Sequence, residues 1–288
     1  MLSSKYNNSV SIIIVTYNSG DHIDRCLRSL LLHENSYIKE IILIDNASTD
    51  DTLKIVSKVK NLKIKVLKQK DNIGFASSVN IGIKKEKGKY ILLINPDTEI
   101  LNECFCNLIK SVEVERGGIS GGKMIGKGGL VHNTHVRNPN LLIGLFDFTN
   151  LKKIFPNNRW HKKFYYLDSK PISSCMEVDA VSGGFMLINM KVIKNIGYLN
   201  ENYFMYLEDI EYCKRARDAG FKVMYCSKSV IFHEGGASSQ NEDKINFNAW
   251  VGSRKYFFWK NHSLLINFII QPMFFIDELA MRIWRKIR

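Results

Sequence analysis

Three acidic positions in this chain stand where chemistry is easiest to arrange. In YILLINPDTEI (90–100) an apolar run of strand length breaks at Asn95, Pro96 and Asp97, so one carboxylate arrives where a buried strand meets solvent. In EIILIDN (40–46) a second apolar run ends on Asp45 and Asn46. In YLEDIEYCKRARDAG (206–220) Glu208, Asp209 and Glu211 open a helical pattern that sets Asp209, Tyr212, Ala216 and Ala219 on one face. A carboxylate so placed can hold a divalent cation, accept a nucleobase N–H or take a proton from a hydroxyl. It can equally favour a helix N-terminus, which is the plain alternative for the Glu208 group.

The elements that must carry these residues alternate. SVSIIIVTY, EIILIDN, KIKVLKQ and YILLIN read as strands, and Ile23, Leu27, Leu30 and Leu31 mark a helix between the first two. After IDN, Ser48, Thr49 and Asp50 are N-cap candidates for a further helix. This rhythm predicts an α/β fold with a mostly parallel sheet flanked by helices, which binds ligands at the carboxyl ends of its strands. Thr16, Tyr17, Asn18, Asp45, Asn46, Asn95 and Asp97 then share a neighbourhood. DNIGFASSVNIGI (71–83) places Asn72 and Gly74 before a helix start that favours anions, with Asn80 inside it. EVDAVSGGFMLIN predicts a strand broken at Gly183 and Gly184, and FKVMYC with SVIFH a strand pair ending on His233.

No strand is followed by GxGxxG or by GxxxxGK[ST], which disfavours dehydrogenases and P-loop enzymes. GGISGGKMIGKGG (117–129) fits neither spacing and predicts a hairpin turning at Gly128 and Gly129. Residues 137–176 read as an irregular loop region. The 41 basic against 28 acidic residues give +13, which favours an anionic partner such as a membrane surface or a phosphorylated molecule. Six scattered cysteines and a polar N-terminus without a signal peptide predict reduced thiols and a cytoplasmic location. The tail LLINFIIQPMFFIDELAMRIWRKIR is interrupted by Asn267, Gln271, Pro272 and Asp277, and so is expected to fall short of the roughly 20 apolar residues of a spanning helix. It reads as an interfacial helix, with Arg282, Trp284, Arg285, Lys286 and Arg288 at the headgroups, or as a core or oligomer contact.

Taken in order, SIIIVTYNSGDHIDRCLRSLL, IILIDNASTDDT, NIGFASSVNIGI, YILLINPDTEI, VSGGFMLI, NYFMYLEDIEYCKRARDAGF and VIFHEGGAS resemble family-2 inverting glycosyltransferases of the GT-A fold, in particular the rhamnosyltransferase-like branch. The resemblance implies a Rossmann-like GT-A domain over 1–240, split near residue 100 into nucleotide-sugar and acceptor halves, with a C-terminal helical segment at 241–288. It implies a nucleotide-diphosphate sugar donor (dTDP-L-rhamnose foremost, or a UDP-sugar such as UDP-galactofuranose or UDP-N-acetylglucosamine) and a surface-polysaccharide or lipid-linked acceptor, with no nucleic acid. It assigns Asp209 as general base, Asp45 to the nucleobase and Asn72, Gly74 and Asn80 to the donor. By their strand-end places Thr16 and Asn18 fall beside the donor, Tyr17 stacks on the base or is simply a buried strand-end tyrosine, and Asn95 offers a neutral oxygen to a ribose hydroxyl or a metal-bound water. Gly183, Gly184 and Glu208 fall on the sugar or acceptor side. The family's Asp-x-Asp is reduced here to Asn95-Pro96-Asp97, so Asp97 needs a second metal ligand, and His233 matches a position where relatives bind Mn²⁺ or Mg²⁺. A nucleotidyltransferase would need a basic glycine-rich loop where VTYNSGDHID stands. A non-catalytic glycan- or membrane-binding protein is the alternative of another class.

Overall fold

The computed structural model describes residues 6–101, 104–169, 174–235 and 243–287. Gly236 to Ser238 of the last motif, and Arg288, lie outside the described residues. The strands are β1 (Val10–Thr16), β2 (Ile38–Asp45), β3 (Ile64–Lys68), β4 (Tyr90–Ile94), β5 (Thr98–Ile100), β6 (Gly117–Ile125), β7 (His135–Val136), β8 (Cys175–Glu177), β9 (Ala180–Val181), β10 (Phe185–Asn189) and β11 (Lys222–His233). The helices are α1 (Gly20–His33), α2 (Thr52–Lys58), α3 (Phe75–Ile83), α4 (Phe105–Val112), α5 (Leu141–Asp147), α6 (Leu151–Ile154), α7 (Arg159–Phe164), α8 (Met190–Ile196), α9 (Glu208–Asp218), α10 (Asp243–Asn261) and α11 (Leu264–Ile287).

The main sheet runs β3-β2-β1-β4-β10-β6-β11-β5, with β8 on β11. β3, β2, β1 and β4 are parallel, as are β6 and β11, while β10 runs antiparallel between β4 and β6. Apolar runs without polar alternation suit such a sheet because both faces are covered. Ile12, Ile14, Leu92 and Ile94 pack under α1, α2 and α4. Ile13, Ile91 and Leu93 point the other way, into a core that takes in α3, α8 and α9 and reaches Phe257 and Phe258 of α10 and Ile270 and Phe274 of α11. In α1, Ile23, Cys26, Leu27 and Leu30 form the buried stripe.

Several expectations are corrected. Residues 137–169 are not an irregular loop: α5, α6 and α7 fold there, with Asn140 accepting from the Ile143 amide and Asn158 from those of Trp160 and His161. FKVMYC and SVIFH are one strand with a register shift between Cys226 and Val230, because both halves pair with β6. Cys175 faces Cys226 across the β8–β11 pair with Cα atoms 4.1 Å apart, and the two form a disulfide, so the expectation of six reduced thiols fails there. The Gly128–Gly129 turn does form, both residues having positive φ beside an Ile125–Val131 bridge. The tail is a continuous helix through Pro272, and over Leu264–Arg285 it is long and apolar enough to cross a membrane by length and composition, which corrects the shortfall expected from its polar interruptions.

α10 and α11 are locked by a buried ion pair. Arg254 is fully buried, and its guanidinium donates to Asp277 Oδ2 at 2.6 Å and to the carbonyls of Phe148 and Phe274. Asp277 Oδ1 accepts from the backbone and side-chain nitrogens of Asn150. Asp277→Ala strands a buried cation and should cost about 3–5 kcal/mol, read as a lower urea midpoint. Glu278→Gln loses only the more exposed contacts to Lys255 and Arg282 and should cost less than about 1 kcal/mol. Equal losses in the two variants would refute the role given to the buried pair.

Candidate active site

β1, β2, β4 and β11 all end at one edge of the sheet, and the loops beyond β1 and β2 are laced together there. Thr16 Oγ1 donates to Asp45 Oδ1 at 3.0 Å and the Ser48 amide to Asp45 Oδ2 at 3.1 Å. The Asn18 amide donates to Ser48 Oγ at 3.0 Å, while Asn18 Oδ1 accepts from the Thr49 amide at 2.9 Å. None of the three cap candidates is the N-cap of α2, which is Asp51; Asp50, one residue earlier, accepts from Thr52 N at the start of α2 and from Gly20 N at the start of α1. Thr16, Asn18 and Asp45 thus build the wall and do not line the cavity in front of it. That cavity, about 250 Å³, is lined by Tyr17, Asn46, Asn72, Gly74, Phe75, Asn95, Asp97 and His233, among others.

Asn46 spans the first turn of α3, donating to Asn72 Oδ1 and the Gly74 carbonyl and accepting from Ser78 Oγ at 2.7 Å. Gly74 has φ +86°, and a Cβ there would lie 2.5 Å from the Phe204 carbonyl oxygen, so only glycine lets α3 start beside that segment. Asn80 is corrected: its amide donates to the Leu199 carbonyl and Glu201 and its oxygen accepts from the Leu199 amide, all away from the cavity. It latches α3 to the chain leading into α9.

Asp97 and His233 meet as the sequence expected, with Oδ1 and Nε2 3.2 Å apart on the wall of this cavity. Burial pushes the Asp97 carboxyl up, but the hydrogen bond and charge of His233 outweigh it and hold the group below the ordinary aspartate range. Two donors this close could share one hard cation, with its other positions left to diphosphate oxygens and water. No cluster of three or more His, Cys, Asp or Glu suited to a metal occurs among the described residues. His233 is steadied by its neighbour Glu234, which pairs with His22, Arg25 and Lys127, and by the edge of the His132 ring 5.3 Å away.

A second cavity of about 470 Å³ shares Phe75, Asn95, Met205 and Tyr206 with the first, so the two are adjoining chambers. Asp209, Glu208, Gly183, Gly184 and Trp250 line it, and Asp147, Lys152 and Tyr165 form another part of its wall. Asp209 Oδ2 accepts from the Gly183 amide at 2.9 Å and Oδ1 from Ile210 N at 2.8 Å. A Cβ on Gly184 would lie 2.9 Å from Asn95 Nδ2, and the Asn95 amide donates to the Gly184 carbonyl. Burial raises the Asp209 pKa against the pull of the two amides. Burial and the neighbouring Asp209 charge raise Glu208 well above the ordinary range, and its Oε2 has no partner. Tyr206 and Leu207, immediately before the pair, both take left-handed φ, 74° and 67°.

Asn46, expected at this edge with Asp45, does line the first cavity. Sequence reasoning missed Phe75, the Asp147–His161 pair (2.6 Å) and Trp250, which come from segments without a strand-end signal.

Residues 11–197 match the family described as Glycosyl transferase family 2. Over 88% of its length the chain is 26% identical to the low-salt glycan biosynthesis hexosyltransferase Agl10 of Haloferax volcanii, covering 76% of that protein. It is 25% identical, again over 88% of its length, to the N-acetylglucosaminyl-diphospho-decaprenol L-rhamnosyltransferase of Mycobacterium tuberculosis, covering 84% of it. Among solved structures, GalNAc-T7 with UDP, GalNAc and Mn²⁺ aligns with a TM-score of 0.59 at 18% identity over 78% of this chain, which spans 43% of that one. That likeness shows the fold, a GT-A sheet flanked by helices. By the extent of the family match and the architecture together, the chain belongs to glycosyltransferase family 2.

Proposed function

We propose that the chain transfers a sugar, with inversion, from a nucleotide-diphosphate donor to a hydroxyl of a glycan or lipid-linked oligosaccharide, working at the cytoplasmic side. The observation that carries this reading is the shared wall: Asn95 borders both the chamber of Asp97 and His233 and the chamber of Asp209. A donor diphosphate in the first then presents its sugar to an acceptor in the second. Residues 1–100 supply the donor half, 101–240 the acceptor half and 241–288 the helical appendage.

Tyr17, Asn46 and Asn72 face the nucleotide, and Asp45, its oxygens held by Thr16 and Ser48, braces that wall from behind. Gly74 lies on the diphosphate side of the cavity, its own amide and that of Phe75 being taken by Asn72 Oδ1 and the Phe204 carbonyl. Asp97 and His233 would hold Mn²⁺ or Mg²⁺, which when bound neutralises charge on the departing diphosphate. Asp209 takes the acceptor proton as the hydroxyl attacks. The Gly183 amide aims its carboxylate, and Gly183 and Gly184 leave room for the sugar. The named rhamnosyltransferase relative supports L-rhamnose as the sugar and a diphospho-polyprenol-linked acceptor, and dTDP-L-rhamnose is the donor this reading puts first. Another hexose, from a donor such as a UDP-sugar, is the alternative; the hexosyltransferase relative supports the hexose. Nucleotide release across dTDP-, UDP- and GDP-sugars with lipid-linked acceptors tests the assignment, and nucleotide binding without turnover of any sugar would overturn it.

Asp209→Asn should lower kcat by about three orders of magnitude while donor affinity, measured by calorimetry, holds; near-normal turnover would remove Asp209 as base. The raised Asp209 pKa puts the acidic limb of kcat/KM above the ordinary aspartate range, activity being lost as pH falls through it. His233→Ala should weaken Mn²⁺ binding to the nucleotide-bound protein by about tenfold or more in an electron paramagnetic resonance titration; unchanged affinity would exclude it as a ligand.

A further inference from the structure

Helix α11 has one face spent and one face bare. Asn267, Ile270 and Phe274 are buried against the domain, and Asp277 holds Arg254. On the other side Phe268 is 82% exposed, Leu264 77%, Phe275 62% and Ile276 61%, with Leu265 and Leu279 also open. An apolar face this extended marks a contact surface.

The charges around it indicate what covers it. Arg282 and Arg285 stack over Phe247 at the carboxyl end of α11, and Lys153 Nζ lies 5.4 Å over the half-exposed ring of Trp284. Lys153 draws α6 to the same end, where Ile154 and Phe155 are exposed as well. A bare apolar stripe bordered by tryptophan and cations is the composition of a helix lying in a lipid interface. The acidic residues described on α11 are engaged, Asp277 with Arg254 and Glu278 with Lys255 and Arg282. Two copies of a +13 chain meeting there would therefore find no countercharge. Crossing the bilayer instead would strip Asp277 from buried Arg254 and Asn267 from the carbonyls of Phe258, His262 and Ser263.

We propose that α11, with α6 beside its end, lies in the headgroup plane of an anionic bilayer and seats the enzyme on it. Trp250 of α10 lines the Asp209 chamber, and Arg254 one turn on grips α11, so the chamber stands one helix layer from the lipid. The value of that placement for a lipid-linked acceptor rests on the proposed function; the lipid contact does not.

The full chain, without donor, should sediment with vesicles of phosphatidylglycerol and phosphatidylcholine and much less with phosphatidylcholine alone. Phe268→Glu combined with Ile276→Glu should reduce the bound fraction about tenfold, with the melting temperature and transfer to a short water-soluble acceptor unchanged. Arg282→Gln with Arg285→Gln should weaken binding to the anionic vesicles and flatten its salt dependence. Vesicle binding absent in the wild type, or untouched by the two glutamates, overturns the proposal. So does a dimer that dissociates in the glutamate variant without any lipid binding, or attachment that resists alkaline carbonate, which would indicate a spanning helix. Loss of transfer to the soluble acceptor by the wild type would count against the function and not against the lipid contact.

Discussion

The geometry of this enzyme depends on β10 running backwards. In a sheet otherwise parallel from β3 to β4 and again from β6 to β11, β10 is antiparallel to both neighbours, so its beginning lies at the ligand edge. The Gly183–Gly184 turn that precedes it is thereby set against Asn95 at the end of β4 and beneath Asp209 at the start of α9. Parallel strands alone would supply the wall that carries Asn46 and Asp97 but nothing opposite it. One reversed strand brings the second half of the chain back over the first, and the two chambers meet across Asn95.

The same edge separates two electrostatic regimes. Asp97, beside His233, is held in its anionic form. Asp209 and Glu208 lie in surroundings that resist charge, one steadied by two backbone amides and the other with an oxygen left alone. Environments that push carboxylates in opposite directions are the usual mark of divided labour among acids in one site. Here the division follows from position: Asp97 emerges beside an imidazole, while the Asp209 pair is packed under Tyr206 and Leu207 at the mouth of a helix.

Much of this was legible before any coordinates. The uninterrupted isoleucine runs announced a sheet covered on both faces, and the abrupt polar endings of β2 and β4 announced its ligand edge. The meeting of Asp97 with His233, and the place of Asp209 on the adjoining chamber, were readable because each residue sits at an element terminus, where local sequence fixes direction. Asn80 misled because a helix-start signal says nothing about which side of the helix a residue one turn later faces. The α5–α7 region was unreadable for a related reason: helices of four to seven residues are too short to show an apolar period, although Asn140 and Asn158 stood in place as caps. Cys175 and Cys226 are 51 residues apart, and only the pairing of β8 with β11 brings them together. The tail's polar interruptions were read as breaks, whereas Asn267 and Asp277 are its fastenings.

The left-handed residues Tyr206 and Leu207 carry a cost felt by the whole molecule. Each side chain held in that conformation forfeits on the order of 1–3 kcal/mol, and a pair in tandem spends a noticeable share of the margin by which a domain of this size stays folded. Glycine at either place would relieve the strain. It would also empty the place of a buried Leu207 or of Tyr206 against Trp250, and free the backbone that presents Glu208 and Asp209 to the chamber, so the strain is held in place by the very side chains that create it.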